Sequence, residues 1–241
     1  MKNVITLVLT VLLAQLSYSQ SMTVHKTDQT TATFQLSQID SITFTVPGIF
    51  TCGDTVNYSG GTYHTVQIGT QCWLKENLNV GTVIQGTDTA KNNGTIEKYC
   101  YQNETANCST YGGLYLWDEA MQYDTTSGTR GICPSGWHMP TFAECETLKT
   151  AVGNNGNALK AVGQGTGAGA GTNTSGFSAL LAGARVYNGT FTSLGLYGFF
   201  RSSMQYNASE ASYISLNGGD NIILFTHNSK LLGQSVRCIK D

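Results

Sequence analysis

The sequence predicts an α+β domain of short helices and antiparallel strands, stapled by disulfides. Three observations predict it. Seven cysteines all follow an apolar leader, and exported thiols end as disulfides. Thr141 followed by Glu144 is a capping box, the signature of a helix start. Tyr58-Ser59-Gly60-Gly61-Thr62-Tyr63 carries a turn and Asn188-Gly189 is another turn signal, the signature of hairpins. Helices in the first half and strands in the second point to α+β rather than to repeated βαβ units.

The leader comes first. Lys2 precedes Val4 to Leu16, a run broken only by Thr6, Thr10 and Gln15, and Ser17-Tyr18-Ser19 offers small residues for cleavage before Gln20. Residues 1–19 are expected to be a signal peptide. The run is short for a membrane span and lacks a basic flank, so no transmembrane anchor is expected. The expected location is extracellular, on the cell surface or periplasmic. Composition agrees: only 12% of the 241 residues are charged and the formal charge is −2. A nearly neutral chain with no block of like charge offers no field for nucleic acid or anionic membrane.

Residues 20–48 read as a short β-rich segment. Met22 to Lys26 and Thr33 to Leu36 alternate around a polar turn, and Ile42, Phe44 and Val46 alternate with threonines. These strands are too few for a core of their own. Pro47-Gly48 marks the boundary to a domain over 49–241. There, residues 49–80 read as a hairpin and 81–112 as a long polar connection. Leu114 to Tyr123 reads as a core element that turns helical near Asp118. Phe142, Cys145, Leu148 and Val152 form the apolar face of the capped helix. Gly163 to Gly176 reads as a flexible surface loop. Strands are expected at Phe177–Leu181, Tyr213–Leu216, Ile222–Phe225 and Ser235–Ile239.

Cys145 falls on the helix face, where a thiol acts as a small buried hydrophobe, so it is expected to be the unpaired one. Sequence alone leaves the pairing of the other six open. Local geometry favours Cys100 with Cys108, Cys52 with Cys72 to staple the first hairpin, and Cys133 with Cys238 to tie the middle to the last strand. No CxxC occurs, and His25, His64, His138 and His227 are scattered, so no metal site is expected.

Five ordered motifs carry a resemblance. They are Ile68 to Val80 (IGTQCWLKENLNV), Tyr111 to Met121 (YGGLYLWDEAM), Gly131 to Thr141 (GICPSGWHMPT), Gly171 to Leu180 (GTNTSGFSAL) and Gly233 to Asp241 (GQSVRCIKD). Together they resemble the Fibrobacter succinogenes major paralogous domain over about residues 50–241. That family is similar in turn to formylglycine-generating-enzyme domains, so the resemblance implies a C-type-lectin-like domain. Tryptophan is usual in the family where this chain has Cys145. The segment ending Gln38 to Phe44 looks like the β segment that precedes secreted domains of Bacteroidetes-type bacteria.

Catalytic signals are weak. Formylglycine-type oxidation needs two late thiols, and the region after Gly195 offers only Cys238. The Glu-Pro-Asn and Trp-Asn-Asp signatures of calcium-dependent lectins are missing, and Asn217 to Asn221 reads as a hairpin turn. Gly165 to Ala170 nominally matches a dinucleotide fingerprint but follows no strand. Ser175 and Ser178 lie in no nucleophile elbow, Glu144 is explained by its cap, and His138 reads as a satisfied rim histidine. No catalytic residue, cofactor or metal ligand is assigned. The expected function is a non-catalytic binding module for glycan or surface protein. Its rivals are an enzyme on a formylglycine-generating-enzyme-like scaffold and a purely structural surface protein. A polar pocket at His138 and Glu144 would favour the enzyme, and a shallow aromatic groove the binding module.

Overall fold

A computed structural model describes residues 20–25, 30–38 and 50–241. The expected signal peptide and the alternating run Ile42 to Val46 lie outside the described residues. The chain divides into two units, 1–49 and 50–241. In the first, β1 (Ser21–His25) pairs antiparallel with β2 (Thr31–Gln35), with Met22 opposite Phe34 and Val24 opposite Ala32.

The second unit holds two five-stranded sheets. The first has the order β3 (Thr55–Tyr58), β4 (Gly61–Ile68), β5 (Gln71–Leu74), β14 (Ile239–Lys240), β8 (Trp137–His138), all antiparallel. Its opening hairpin turns at Ser59 and Gly60, which both take positive φ, as a two-residue type I′ turn requires. All four residues of β5 are buried, because both faces of this strand are covered. Cys72 and Leu74 enter one core with Trp117, Trp137 and Cys238, while Trp73 enters the other with Leu148, Phe177 and Ile239. A side-chain period of two thus divides one strand between two cores. Each such large side chain contributes about 1.5–3 kcal/mol by leaving water.

The second sheet has the order β10 (Phe191–Leu194), β9 (Ala182–Arg185), β11 (Tyr197–Gln205), β12 (Glu210–Asn217), β13 (Ile223–Ser229). Its pairs are antiparallel except for a single parallel bridge between Gly198 and Gly183. Helix α3 (Phe142–Ala151) packs on this sheet, and Thr141 caps it by the expected reciprocal bonds with Glu144. Helix α2 (Trp117–Ala120) enters the first core through Trp117, and Trp117 Nε1 donates to Ser202 O at 2.9 Å. Helix α4 (Gly156–Leu159) places Leu159 in the second core.

Several local expectations are corrected. The stretch 81–112 is ordered by β6 (Thr82–Val83), β7 (Glu97–Lys98) and α1 (Thr105–Tyr111), with Tyr99, Cys100 and Cys108 buried. Its few apolar side chains are spaced too irregularly to show a period, yet they join Leu114 and Leu116 in a third small core. The glycine stretch is not a free loop. Thr166 N donates to Gly218 O at 2.8 Å, and a Cβ on Gly169 would lie 2.2 Å from the same oxygen, so glycine there allows two backbones to touch. Phe177 to Leu181 makes only an isolated bridge, Ala179 with Lys160, and the last strand shrinks to Ile239–Lys240. Phe142 is 39% exposed rather than core-facing, because it leans edge-on against Phe225 of β13.

This much irregular backbone leaves many carbonyls without a ladder partner, and long cationic side chains fill the gap. Lys98, Lys160, Arg185, Arg201, Lys230 and Arg237 are all buried. Lys98 donates to Asn79 O, Lys160 to Asn217 O and Asp220 O, and Arg185 to Gly86 O, Asp88 O and Leu231 O. Arg201 donates to Ser229 O and Leu232 O. Among the described residues six lysines and arginines are therefore inside, which leaves the domain surface less basic than the composition indicates.

The three disulfides are Cys52–Cys72, Cys100–Cys108 and Cys133–Cys238, with Cα–Cα distances of 5.8, 4.9 and 5.9 Å. Cys145 carries a free, buried thiol in the second core, and burial pushes its pKa well up. A thiol reagent should leave Cys145 unmodified in the folded protein and label it on denaturation. Cys145→Ala should cost about 1 kcal/mol through lost packing, with all three bridges intact by unreduced peptide mapping.

Candidate functional site

The candidate site is a half-open cleft of about 430 Å³ where three distant segments meet. The start of β4 supplies Gly61, Thr62 and Tyr63, and the segment after β5 supplies Lys75, Glu76, Asn77 and Asn79. The end of α1 supplies Cys108 to Gly112, and Ala161, Ser178, Leu180 and Arg237 complete the wall. Gly112 is there because the helix end closes directly on Asn77. Its φ is +81°, and a Cβ would lie 2.6 Å from the Asn77 Cβ. Asn77 Nδ2 then donates to Tyr111 O at 2.8 Å and ties the helix end to the cleft wall.

Arg237 anchors the cleft. It is 1% exposed, and its Nε donates to Asn77 Oδ1 at 2.8 Å. Nη1 donates to Phe177 O and Nη2 to Ser178 O, while the guanidinium lies 4.3 Å from the Phe177 ring centre. Desolvation brings its pKa down to about 9, so it stays charged at neutral pH. Tyr63 accepts the Asn79 N–H through its hydroxyl, and burial raises its pKa further above neutrality. On the rim, Glu76 is engaged by His64, which offers its backbone N–H at 2.7 Å and Nδ1 at 2.9 Å. The Cys108 sulfur is held in its disulfide. Beside the committed Asn77 amide, the wall carries hydroxyl and amide side chains at Thr62, Asn79, Ser109, Thr110, Tyr111 and Ser178.

Of the residues weighed singly from the sequence, Ser178 and Cys108 line this cleft, and the motifs add Lys75, Glu76, Asn77, Asn79, Tyr111, Gly112, Leu180 and Arg237. His138 and Glu144 meet elsewhere. His138 Nε2 lies 2.9 Å from Glu144 Oε1, and Nδ1 lies 2.7 Å from Asp241 Oδ1. With a carboxylate facing each nitrogen, neither side of the ring is open to a substrate. The hydrogen bond to Glu144 raises the His138 pKa, against desolvation, and Asp241 adds to the rise. Burial acts to raise the Glu144 carboxyl, but bonds from His138 and Thr141 outweigh it and leave it below its ordinary value. The sequence reading missed Asp241, which no local spacing connects to His138.

The raised His138 pKa gives stability that is complete below the unfolded value of 6.5 and is lost as pH rises through the folded value. The lowered Glu144 pKa gives stability that is present above 4.5 and is lost as pH falls. The cluster should therefore stabilise most between those limits. His138→Gln should lower Tm by about 2–4 °C near pH 6, with the gap narrowing as pH rises through the ring's folded value, as read by calorimetry across pH. A gap independent of pH would mean that the ring acts only by packing.

The Asn217 to Asn221 turn holds no vacancy for a cation. The Lys160 ammonium sits against it, donating to Asn217 O at 2.6 Å and Asp220 O at 2.7 Å. Gly165 to Ala170 packs on the same turn through Gly218.

The model of the Fibrobacter succinogenes major domain matches residues 66–240, which contain all five motifs except the last residue, both sheets apart from β3 and the start of β4, and most of the cleft. No curated protein and no solved structure matches the chain. Because this match spans well over half of the sequence and includes Asn77, Gly112 and Arg237, the chain belongs to the Fibrobacter succinogenes major domain family.

Proposed function

We propose that this protein is an exported, non-catalytic binding module on a C-type-lectin-like scaffold, and that the Arg237 cleft takes a glycan. The carrying observation is the chemistry of the cleft wall: hydroxyls and side-chain amides around a hollow whose one buried charge, Arg237, is spent on carbonyls and an amide, with Lys75 and Glu76 set on its rim. Such groups match the hydroxyls of a sugar one for one, while a charged ligand would find few counter-ions. Tyr111 adds a ring of the kind on which a sugar face stacks. Catalysis is not favoured, since the carboxylate and the buried titratable groups of the wall are already committed. Glu76 is bound to His64, Tyr63 is buried with a raised pKa, and Arg237 is spent on carbonyls. Export is supported by the leader over 1–19 and by three disulfides, which persist in oxidising compartments.

The test is a glycan array probed with the purified protein and with Ser109→Trp, which fills the cleft from an exposed helix position. Affinity for the best glycan should fall by at least about tenfold in the variant, worth about 1.4 kcal/mol. No array signal, or a signal untouched by Ser109→Trp, would overturn the reading.

A further inference from the structure

We infer that β13 is a dimerisation strand, which pairs antiparallel with β13 of a second copy of this chain. Among the described residues the four outer strands of the two large sheets are β3, β8, β10 and β13. The first three have four, two and four residues, whereas β13 has seven. Natural sheets blunt long edges with lysine, proline or a bulge. This one carries Ile-Leu-Phe-Thr-His-Asn-Ser, with no lysine, arginine, acid or proline, and pairs with β12 in unbroken register.

The open stretch has defined ends. At one end Asn221 O accepts the Gly156 N–H, and at the other the Ser229 N–H is taken by Asn228 Oδ1. The Lys230 N–H reaches Ser209 O, so by antiparallel alternation the even-numbered residues bond β12. Ile223, Phe225 and His227 then turn their main-chain groups outward. These three positions are symmetric about Phe225. A two-fold axis there sets Phe225 opposite its own copy, Ile223 opposite His227, and Leu224 opposite Thr226.

That symmetry is why the occupant is a second copy. The strand has no formal charge to oppose itself, and the pairing covers its exposed apolar flanks. Leu224 is 53% exposed on the face away from the core, and the two copies of Leu224 become diagonal neighbours. On the other face Phe142 already leans on Phe225, and Tyr206 stacks on His227 with ring centres 3.5 Å apart. An isologous edge-to-edge contact closes at two copies and leaves no further edge of this length.

Sedimentation velocity and light scattering on the purified protein at high micromolar concentration test the inference. The unchanged protein should run at twice the chain mass of 25.8 kDa. Leu224→Lys with Thr226→Lys sets like charges opposite across the axis and should give a monomer. Leu224→Lys with Thr226→Glu sets opposite charges there and should restore the dimer. Circular dichroism melts on each variant report whether the fold is kept. A monomeric unchanged protein, a folded double-lysine variant that still dimerises, or a lysine–glutamate variant that stays monomeric would each overturn the proposed pairing.

Discussion

Replacing Arg237 by methionine is expected to lower stability by about 3–5 kcal/mol, because three buried acceptors lose their donor together. Those acceptors are Asn77 Oδ1, Phe177 O and Ser178 O, and they belong to segments 59 to 160 residues away in sequence. Methionine keeps most of the volume and some contact with the Phe177 and Phe200 rings, so the loss reports the hydrogen bonds more than a cavity. Arg237→Lys should be intermediate, since one ammonium cannot reach all three acceptors. Urea unfolding followed by tryptophan fluorescence measures both. A loss under about 1 kcal/mol in Arg237→Met would mean that water satisfies these carbonyls. The same change should loosen the cleft, because Asn77 also holds the end of α1 through Tyr111 O.

Removing the Cys133–Cys238 bridge with paired alanines should cost about 2–5 kcal/mol. It closes 105 residues, against 20 for Cys52–Cys72 and 8 for Cys100–Cys108, and the chain-entropy cost of leaving a loop open grows with its length. Both cysteines are fully buried in the first core, and Cys238 leads into β14, which sits between β5 and β8. Without the bridge, Ile239 and Asp241 should be the first to lose amide protection in hydrogen exchange, before the β11–β12 pair. Equal losses from the 105- and 8-residue bridges would show that the long bridge does not act through loop closure.

What could be read in advance depended on range. The Thr141–Glu144 cap is visible because both partners lie within one helical turn, and the Ser59–Gly60 turn because its geometry is set by two adjacent residues. The mixed α+β class, the family and the cysteine framework were likewise legible, since each rests on local pattern or ordered motifs. The cleft was not. Asn77, Gly112 and Arg237 stand inside the motifs, but nothing in the spacing tells which of their neighbours will meet across 160 residues. The region 81–112 was misread for a related reason: its order comes from the short Cys100–Cys108 bridge and the buried Lys98 and Tyr99, not from a periodic apolar face. Buried cations defeat pattern reading generally. Arg185, Arg201 and Lys160 look like surface residues in sequence and lie in the interior because irregular backbone needs donors.

We propose that the polar cleft anchored by Arg237 holds an intact glycan without transforming it. The most direct measurement is a titration of the array-selected glycan into isotopically labelled protein, with amide shifts and ligand resonances followed together. Shifts are expected to be confined to Thr62, Lys75 to Asn79, Ser109 to Gly112 and Ser178, with a ligand spectrum unchanged over days. Shifts centred on His138 and Glu144, or new product resonances that disappear with Arg237 intact but Glu144→Gln introduced, would contradict it.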